Sequence, residues 1–90
     1  MNADLREQLR LAILRHLAGN PTRFGLGTPL LLQILKAEGL RCDAEDLDAE
    51  IQYLQDKGLV AEITKTLSPE NRAFRITATG RDVWAQTHGN

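Results

Sequence analysis

Arg41-Cys-Asp-Ala-Glu-Asp-Leu-Asp-Ala-Glu-Ile-Gln-Tyr-Leu-Gln-Asp-Lys-Gly-Leu-Val60 is the stretch that decides the fold. Asp43 is a good helix N-cap, and Asp46 follows three residues later, which is the spacing of a capping box. Leu47 begins an apolar stripe at helical spacing, and Cys42 is placed to pack against it as a hydrophobic staple. The stretch therefore predicts a well-capped helix whose inward residues are Leu47, Ile51 and Leu54.

The predicted helix ends at Lys57-Gly58, because glycine favours the left-handed cap that stops a helix. Beyond it the hydrophobic period changes from 3.6 to 2. Residues 59–66 and 73–77 alternate, with Ile63, Phe74 and Ile76 as the expected inward side chains. Residues 67–72 are rich in turn formers. We expect a two-stranded β-hairpin.

A second helix precedes the quoted stretch. Thr28 is its predicted N-cap and Pro29 its first helical residue, where no backbone donor is lost. Leucines give it the firmest core stripe, and Gly39 ends it. Only residues 40–42 separate that glycine from the next cap, so the two helices form a helix-turn-helix. Upstream of it, residues 23–27 suit an extended link or one short edge strand.

The first helix, predicted over residues 3–18, is apolar on two faces. One face carries Leu5, Leu9, Ala12, Ile13 and Leu17, with His16 expected at the core edge rather than as a pH sensor. The nearly opposite face carries Leu11, Leu14 and Ala18. Either a neighbouring element of the same chain covers this second face, or the face is a subunit interface of a homodimer.

Residues 77–84 predict a short final helix whose Val83 and Trp84 close the core. The whole chain, residues 1–90, is expected to be a single domain in the order helix, helix, helix, hairpin, helix. Its net charge of −1 gives no overall attraction to polyanions. One cysteine fits a reducing cytoplasm, and neither a signal peptide nor a membrane span is expected. Cys42 and the two histidines are too few for a structural zinc site, and we expect no cofactor.

Two motifs carry a resemblance to a known family. Tyr53-Leu-Gln-Asp-Lys-Gly-Leu-Val60 followed by a hairpin, and Ile76-Thr-Ala-Thr-Gly80 after it, resemble the winged helix-turn-helix DNA-binding domains of bacterial transcription regulators. The fold implied is mainly α with a β-hairpin wing: a three-helix core, a two-stranded wing and a short C-terminal helix. The opening residues 11–18 and the short length also look like small winged-helix proteins of Mu-like phages and prophages.

The resemblance implies that the third helix enters the major groove while the wing follows the DNA backbone. Carried over by position, the residues expected to contact double-stranded DNA are Gln52, Tyr53, Lys65, Arg72 and Arg75. The resemblance implies no enzyme activity. The outward aromatic Tyr53 has a plainer explanation, in which it packs against the wing, and a functional one as an interface anchor.

The third helix departs from the family in its charge. Residues 1–42 hold six bases against three acids, residues 43–57 one base against six acids, and the remainder four bases against three acids. Acids in the first turn favour the helix dipole, which accounts for Asp43, Glu45 and Asp46 but not for Asp48 and Asp56. Such a face meets repulsion from phosphates, so the wing and the basic N-terminal half would have to supply the affinity.

Two hypotheses from different classes follow. The first is a DNA-binding transcription regulator, dimeric through the first helix and the C-terminal region. The alternative is a protein–protein interaction module, phage or bacterial, whose acidic third helix docks a basic protein partner. A DNA mimic is a third idea, which the near-neutral total charge disfavours.

Overall fold

A computed structural model of the chain describes residues 2–20, 25–63 and 72–87. These residues form four helices and three short strands in the order α1 (Ala3–Ala18), β1 (Leu26–Gly27), α2 (Thr28–Ala37), α3 (Ala44–Asp56), β2 (Val60–Glu62), β3 (Ala73–Ile76) and α4 (Ala78–Thr87). The fold is therefore mainly helical, with a small antiparallel sheet.

The sheet has the strand order β1-β3-β2, so the strand nearest the C-terminus lies in the middle. Val60 pairs with Ile76 in the hairpin, and Leu26 pairs with Phe74 on the other side of β3. The hairpin is as predicted, and of the two alternatives for residues 23–27 the short edge strand is present at Leu26–Gly27, which makes the sheet three-stranded. Strand β2 ends at Glu62, earlier than expected. The predicted strand residues 64–66 and the loop tip lie outside the described residues.

Two reciprocal hydrogen bonds cap the N-terminus of α3. Asp43 Oδ1 accepts from the Asp46 backbone N–H at 2.8 Å, and Asp46 Oδ2 accepts from the Asp43 N–H at 3.1 Å. This reciprocal capping box confirms the sequence prediction. The prediction for α2 was wrong by one residue. Thr28 is already helical, and Gly27 is the N-cap with no side-chain bond, because the strand pairing of Leu26 and Gly27 leads directly into the helix.

The core is aliphatic and lies between the helices and the sheet. Its buried residues are Leu9, Ala12, Ile13, Leu14, Leu17, Leu31, Leu35, Leu47, Ile51, Leu54, Val60, Phe74 and Ile76. Of the two alternatives for the second apolar face of α1, the subunit interface is wrong for Leu14, whose side chain is only 3% exposed within the single chain. Helix α4 returns to pack against α1, so the chain itself covers this part of the second apolar face.

The two sequence motifs of the resemblance touch each other at the start of α4. Thr77 Oγ1 donates to the Gly58 carbonyl at 2.6 Å and accepts from the Gly80 N–H at 3.0 Å. A Cβ atom on Gly80 would lie 2.1 Å from the Leu59 carbonyl oxygen. The absence of a side chain at Gly80 therefore allows α4 to cross closely over the turn that ends α3.

Candidate nucleic-acid interface

The outer face of α3 is open to solvent, as expected. Gln52 and Tyr53 are both exposed, and so is Asp56. Gln52 Nε2 donates to Asp56 Oδ1 at 2.8 Å, one helical turn away. A glutamine amide that is to contact a base edge has to leave this intrahelical bond, which lowers the net gain of such a contact.

Tyr53 contacts α1 through Arg10. The Arg10 guanidinium carbon lies 3.8 Å from the centre of the Tyr53 ring, within the range of a cation–π contact. Lys57 Nζ lies 5.7 Å from the same centre. The ring therefore contacts a cation of α1, and a second cation at the end of its own helix lies within reach of it. Packing of Tyr53 on the wing stays a prediction, because residues 64–71 lie outside the described residues.

Glu50, one of the six acids of residues 43–57, is buried in α3 rather than on its surface. It is 3% exposed. Arg10 Nε donates to its Oε1 at 2.6 Å, and Arg6 Nε donates to its Oε2 at 3.3 Å. The sequence does carry a signal for this burial. Glu50 lies three residues after Leu47 and four before Leu54, and this spacing places it beside the apolar stripe of the helix.

The two sides of α3 therefore differ in charge. Toward α1, the carboxylate of Glu50 is outnumbered by the cations of Arg6, Arg10 and Lys57. The remaining outer face presents an acidic ridge formed by Glu45, Asp48 and Asp56, three exposed residues at spacings of three and eight. Only the first of these lies in the first turn, where the helix dipole favours an acid.

One of the two described arginines of the hairpin is already paired. Arg72 donates to both carboxylate oxygens of Glu62, at 3.2 and 2.9 Å, and also lies over the Phe74 ring. The hydrogen bond from Arg72 is the main cause that lowers the pKa of Glu62, and the same bond raises the pKa of Arg72. The negative charge of Asp48 makes a smaller contribution that also raises the pKa of Arg72.

Arg75 is different, because it is exposed on the outer face of β3 and makes no ion pair with the described residues. It pairs in register with Ala61, whose small side chain leaves the surface around the guanidinium open. Lys65, the other expected wing contact, lies outside the described residues. Of the five predicted DNA contacts, Gln52 and Tyr53 share the outer face of α3, while Arg72 and Arg75 lie on the hairpin.

A second charged cluster joins α1 to the end of α2. Arg15 donates to Glu38 Oε1 at 2.5 Å, and His16 Nε2 lies 2.9 Å from the same oxygen. The hydrogen bond with His16 is the largest cause that lowers the pKa of Glu38, and the positive charge of Arg15 adds to it. His16 is half-buried at the core edge, as predicted.

A groove of about 570 Å³ opens between α1, the α2–α3 connection and α4. Leu11, Leu40 and Trp84 line it, with Arg15 and Glu38 at its rim. Leu11 and Ala18 are half-buried, and Ala18 also packs against the core. A homodimer interface that includes Leu11 and Ala18, but not the buried Leu14, stays a prediction.

Cys42 is half-buried and packs against the core, while its contact with Leu47 as a hydrophobic staple stays a prediction. Burial raises the pKa of its thiol, and the negative charge of Asp46 adds to this effect. Within residues 2–20, 25–63 and 72–87 no group of three or more histidine, cysteine and acidic side chains is placed to hold a metal ion.

Comparisons with known proteins leave the family open. No family model matches the chain, and no curated protein matches it in sequence. Among the described helices, none combines the length and the apolar character that crossing a membrane requires.

Proposed function

We propose that this chain is a winged helix-turn-helix domain that binds double-stranded DNA, as the regulators it resembles do. The main observation that supports this proposal is the topology around α3. A helix pair joined through residues 38–43 is followed by an antiparallel hairpin, and β1 completes a sheet of order β1-β3-β2. This arrangement supports a recognition helix beside a wing, because the outer face of α3 stays exposed while its inner face packs in the core.

The charges define how such a domain meets DNA. The acidic ridge opposes deep insertion of α3, since a duplex carries one phosphate charge per ~1.7 Å. Arg75 on the hairpin and the cations near Tyr53 supply the attraction in this proposal. We therefore expect binding dominated by backbone phosphates, with weak sequence preference, because Gln52 alone offers a good base-reading amide on this face.

The test is binding of the whole chain to a fluorescent random-sequence duplex of about 20 base pairs, at about 20 mM and about 200 mM salt. Arg75→Gln is expected to weaken binding about fivefold at the lower salt, because one phosphate contact is lost. Arg81→Gln removes another exposed arginine, on α4, and is the matched control. Equal effects of the two variants would show that only net charge matters.

The acidic ridge itself favours a second candidate function, docking of a basic protein partner. Glu45, Asp48 and Asp56 form no ion pair with described bases at hydrogen-bonding distance, so their charge is open to a partner. The double variant Asp48→Asn/Asp56→Asn separates the two functions. DNA binding predicts a tighter complex with the duplex, since repulsion is removed, whereas protein docking predicts loss of a captured partner and no gain on DNA.

A further inference from the structure

Arg6 and Arg10 approach Glu50 in the same way. Each uses its Nε donor, and each contacts a different oxygen of the carboxylate. A guanidinium carries five N–H donors, so the four donors on the terminal nitrogens of each arginine remain. No described residue accepts a hydrogen bond from them. Their side chains are 50% and 24% exposed, which leaves these donors accessible to a ligand.

The buried carboxylate holds the arginines in place. Glu50 sits on the core side of α3 and is almost fully shielded from water, so it fixes both guanidinium groups relative to the helix. Arg10 is further held by its contact with the Tyr53 ring. Two arginines on one carboxylate leave a positive charge, and Lys57 beyond the ring adds another. An anion-binding group that is already ordered loses less side-chain entropy when it binds.

Arginine donors in a fixed fork suit the tetrahedral oxygens of a phosphate, which they can contact in pairs. Tyr53, exposed beside them, adds a polar hydroxyl and an aromatic edge to the same surface. A free carboxylate ligand would use the donors equally well. A row of cations spread from α1 to the end of α3 is better matched by an anion that repeats, as the phosphates of a nucleic-acid strand do.

We propose that Arg6, Arg10 and Lys57 form a phosphate clamp that grips the DNA backbone along the α1 side of α3. This inference rests on the proposed function and adds α1 to the contact surface that the recognition helix and the wing provide. The clamp supplies positive charge to a domain whose third helix also carries an acidic ridge. The duplex is held at the α1 side of that helix, with Arg75 on the hairpin as a further phosphate contact.

The experiment compares Arg6→Gln with Arg15→Gln in the whole chain. Both variants remove one arginine from α1, but Arg15 pairs with Glu38 on another side of the helix. Dissociation constants for a 20-base-pair duplex, a length of about two turns, are measured across a salt series. We expect Arg6→Gln to weaken binding about fivefold at low salt and to reduce the slope of log K against log salt by about one. Arg15→Gln should stay within about twofold of the parent.

Lys57→Gln keeps the test independent of the Glu50 contact, because its side chain makes no ion pair with the described residues. It should act like Arg6→Gln. If both variants match Arg15→Gln while the parent binds DNA, the clamp is overturned and the DNA-binding function stands. If the parent does not bind the duplex even at low salt, the clamp and the proposed function are overturned together.

Discussion

Arg10 donates from Nε to the buried Glu50 carboxylate at 2.6 Å, which ties the first helix to the third. The same guanidinium lies on the Tyr53 ring. One side chain thereby links the inner face of α3, where the carboxylate needs a cation, to the outer face, where a ligand would bind. Their separation in the sequence suggested that the basic N-terminal half and the acidic third helix are independent surfaces. The contacts of Arg10 join them instead.

The first prediction concerns Glu50. Glu50→Ala should lower the free energy of unfolding by about 1–3 kcal/mol, because two charge-assisted hydrogen bonds and buried contacts are lost while the half-exposed arginines return to water. Urea unfolding followed by circular dichroism measures this. Glu7→Ala, an exposed acid of α1, is the control and should change stability by no more than about 0.5 kcal/mol. Equal losses in both variants would contradict a structural role for the buried carboxylate.

The second prediction concerns Gly80. Gly80→Ala should destabilise the fold by about 2–4 kcal/mol, because the added Cβ would meet the Leu59 carbonyl oxygen and the Ile76 side chain. Gly58→Ala is the comparison. Its positive φ of 76° carries a strain cost of about 1–2 kcal/mol, but no atom lies within 4 Å of the new methyl group. Thermal unfolding should rank Gly80→Ala as the less stable variant, and the reverse order would refute the close crossing of α4.

The third prediction concerns the Thr77 hydroxyl. Thr77→Val should cost about 1–2 kcal/mol, since the valine keeps the shape but leaves the Gly80 N–H without its cap. Thr77→Ser retains the oxygen and should recover most of the loss. Chemical denaturation of both variants gives the difference. A serine variant as unstable as the valine variant would assign the effect to the methyl group instead.

The fourth prediction concerns the pH dependence of stability that Glu38 causes. The pKa of Glu38 in the folded chain lies below the ordinary value of 4.5, so its ionised form stabilises the fold above that pH. This stabilisation is lost as the pH falls from 4.5 through the lower folded value. Glu38→Gln should therefore be less stable than the parent at about pH 7, with the gap narrowing by about pH 3. A gap that stays constant between these two conditions would show that the carboxylate charge makes no contribution.

Local signals in the sequence predicted much of the secondary structure. The cap at Asp43, the glycine stop after Lys57 and the change of period beyond it are each encoded within a few residues. The Thr77 and Gly80 motif was recognised by its spacing, and the structure supplies its physical reason in the crossing over Leu59. Element boundaries next to the sheet were less predictable, because strand pairing at Gly27 displaced the expected cap of α2.

The contacts that define the candidate site were harder to predict, because they join distant parts of the chain. Glu50 meets an arginine 40 residues away, so its burial depends on how α1 crosses α3. Arg72 was expected to be free for phosphate, but Glu62 reaches it across the hairpin. For Leu14 a subunit interface and cover by the same chain were both open, and the side chain is buried within the single chain, where α4 packs against α1. In each case the missing information was the packing of helices and strands, which periodicity alone does not give.

The most direct measurement is fluorescence anisotropy of a labelled random-sequence duplex titrated with the whole chain at several salt concentrations. Phosphate contacts from about two to four cations predict binding at about 20 mM salt and a log–log salt slope of about −2 to −4. Binding should be nearly lost by about 200 mM salt. No anisotropy change at the lowest salt, or an affinity independent of salt, would contradict the account and leave the acidic ridge as the functional surface.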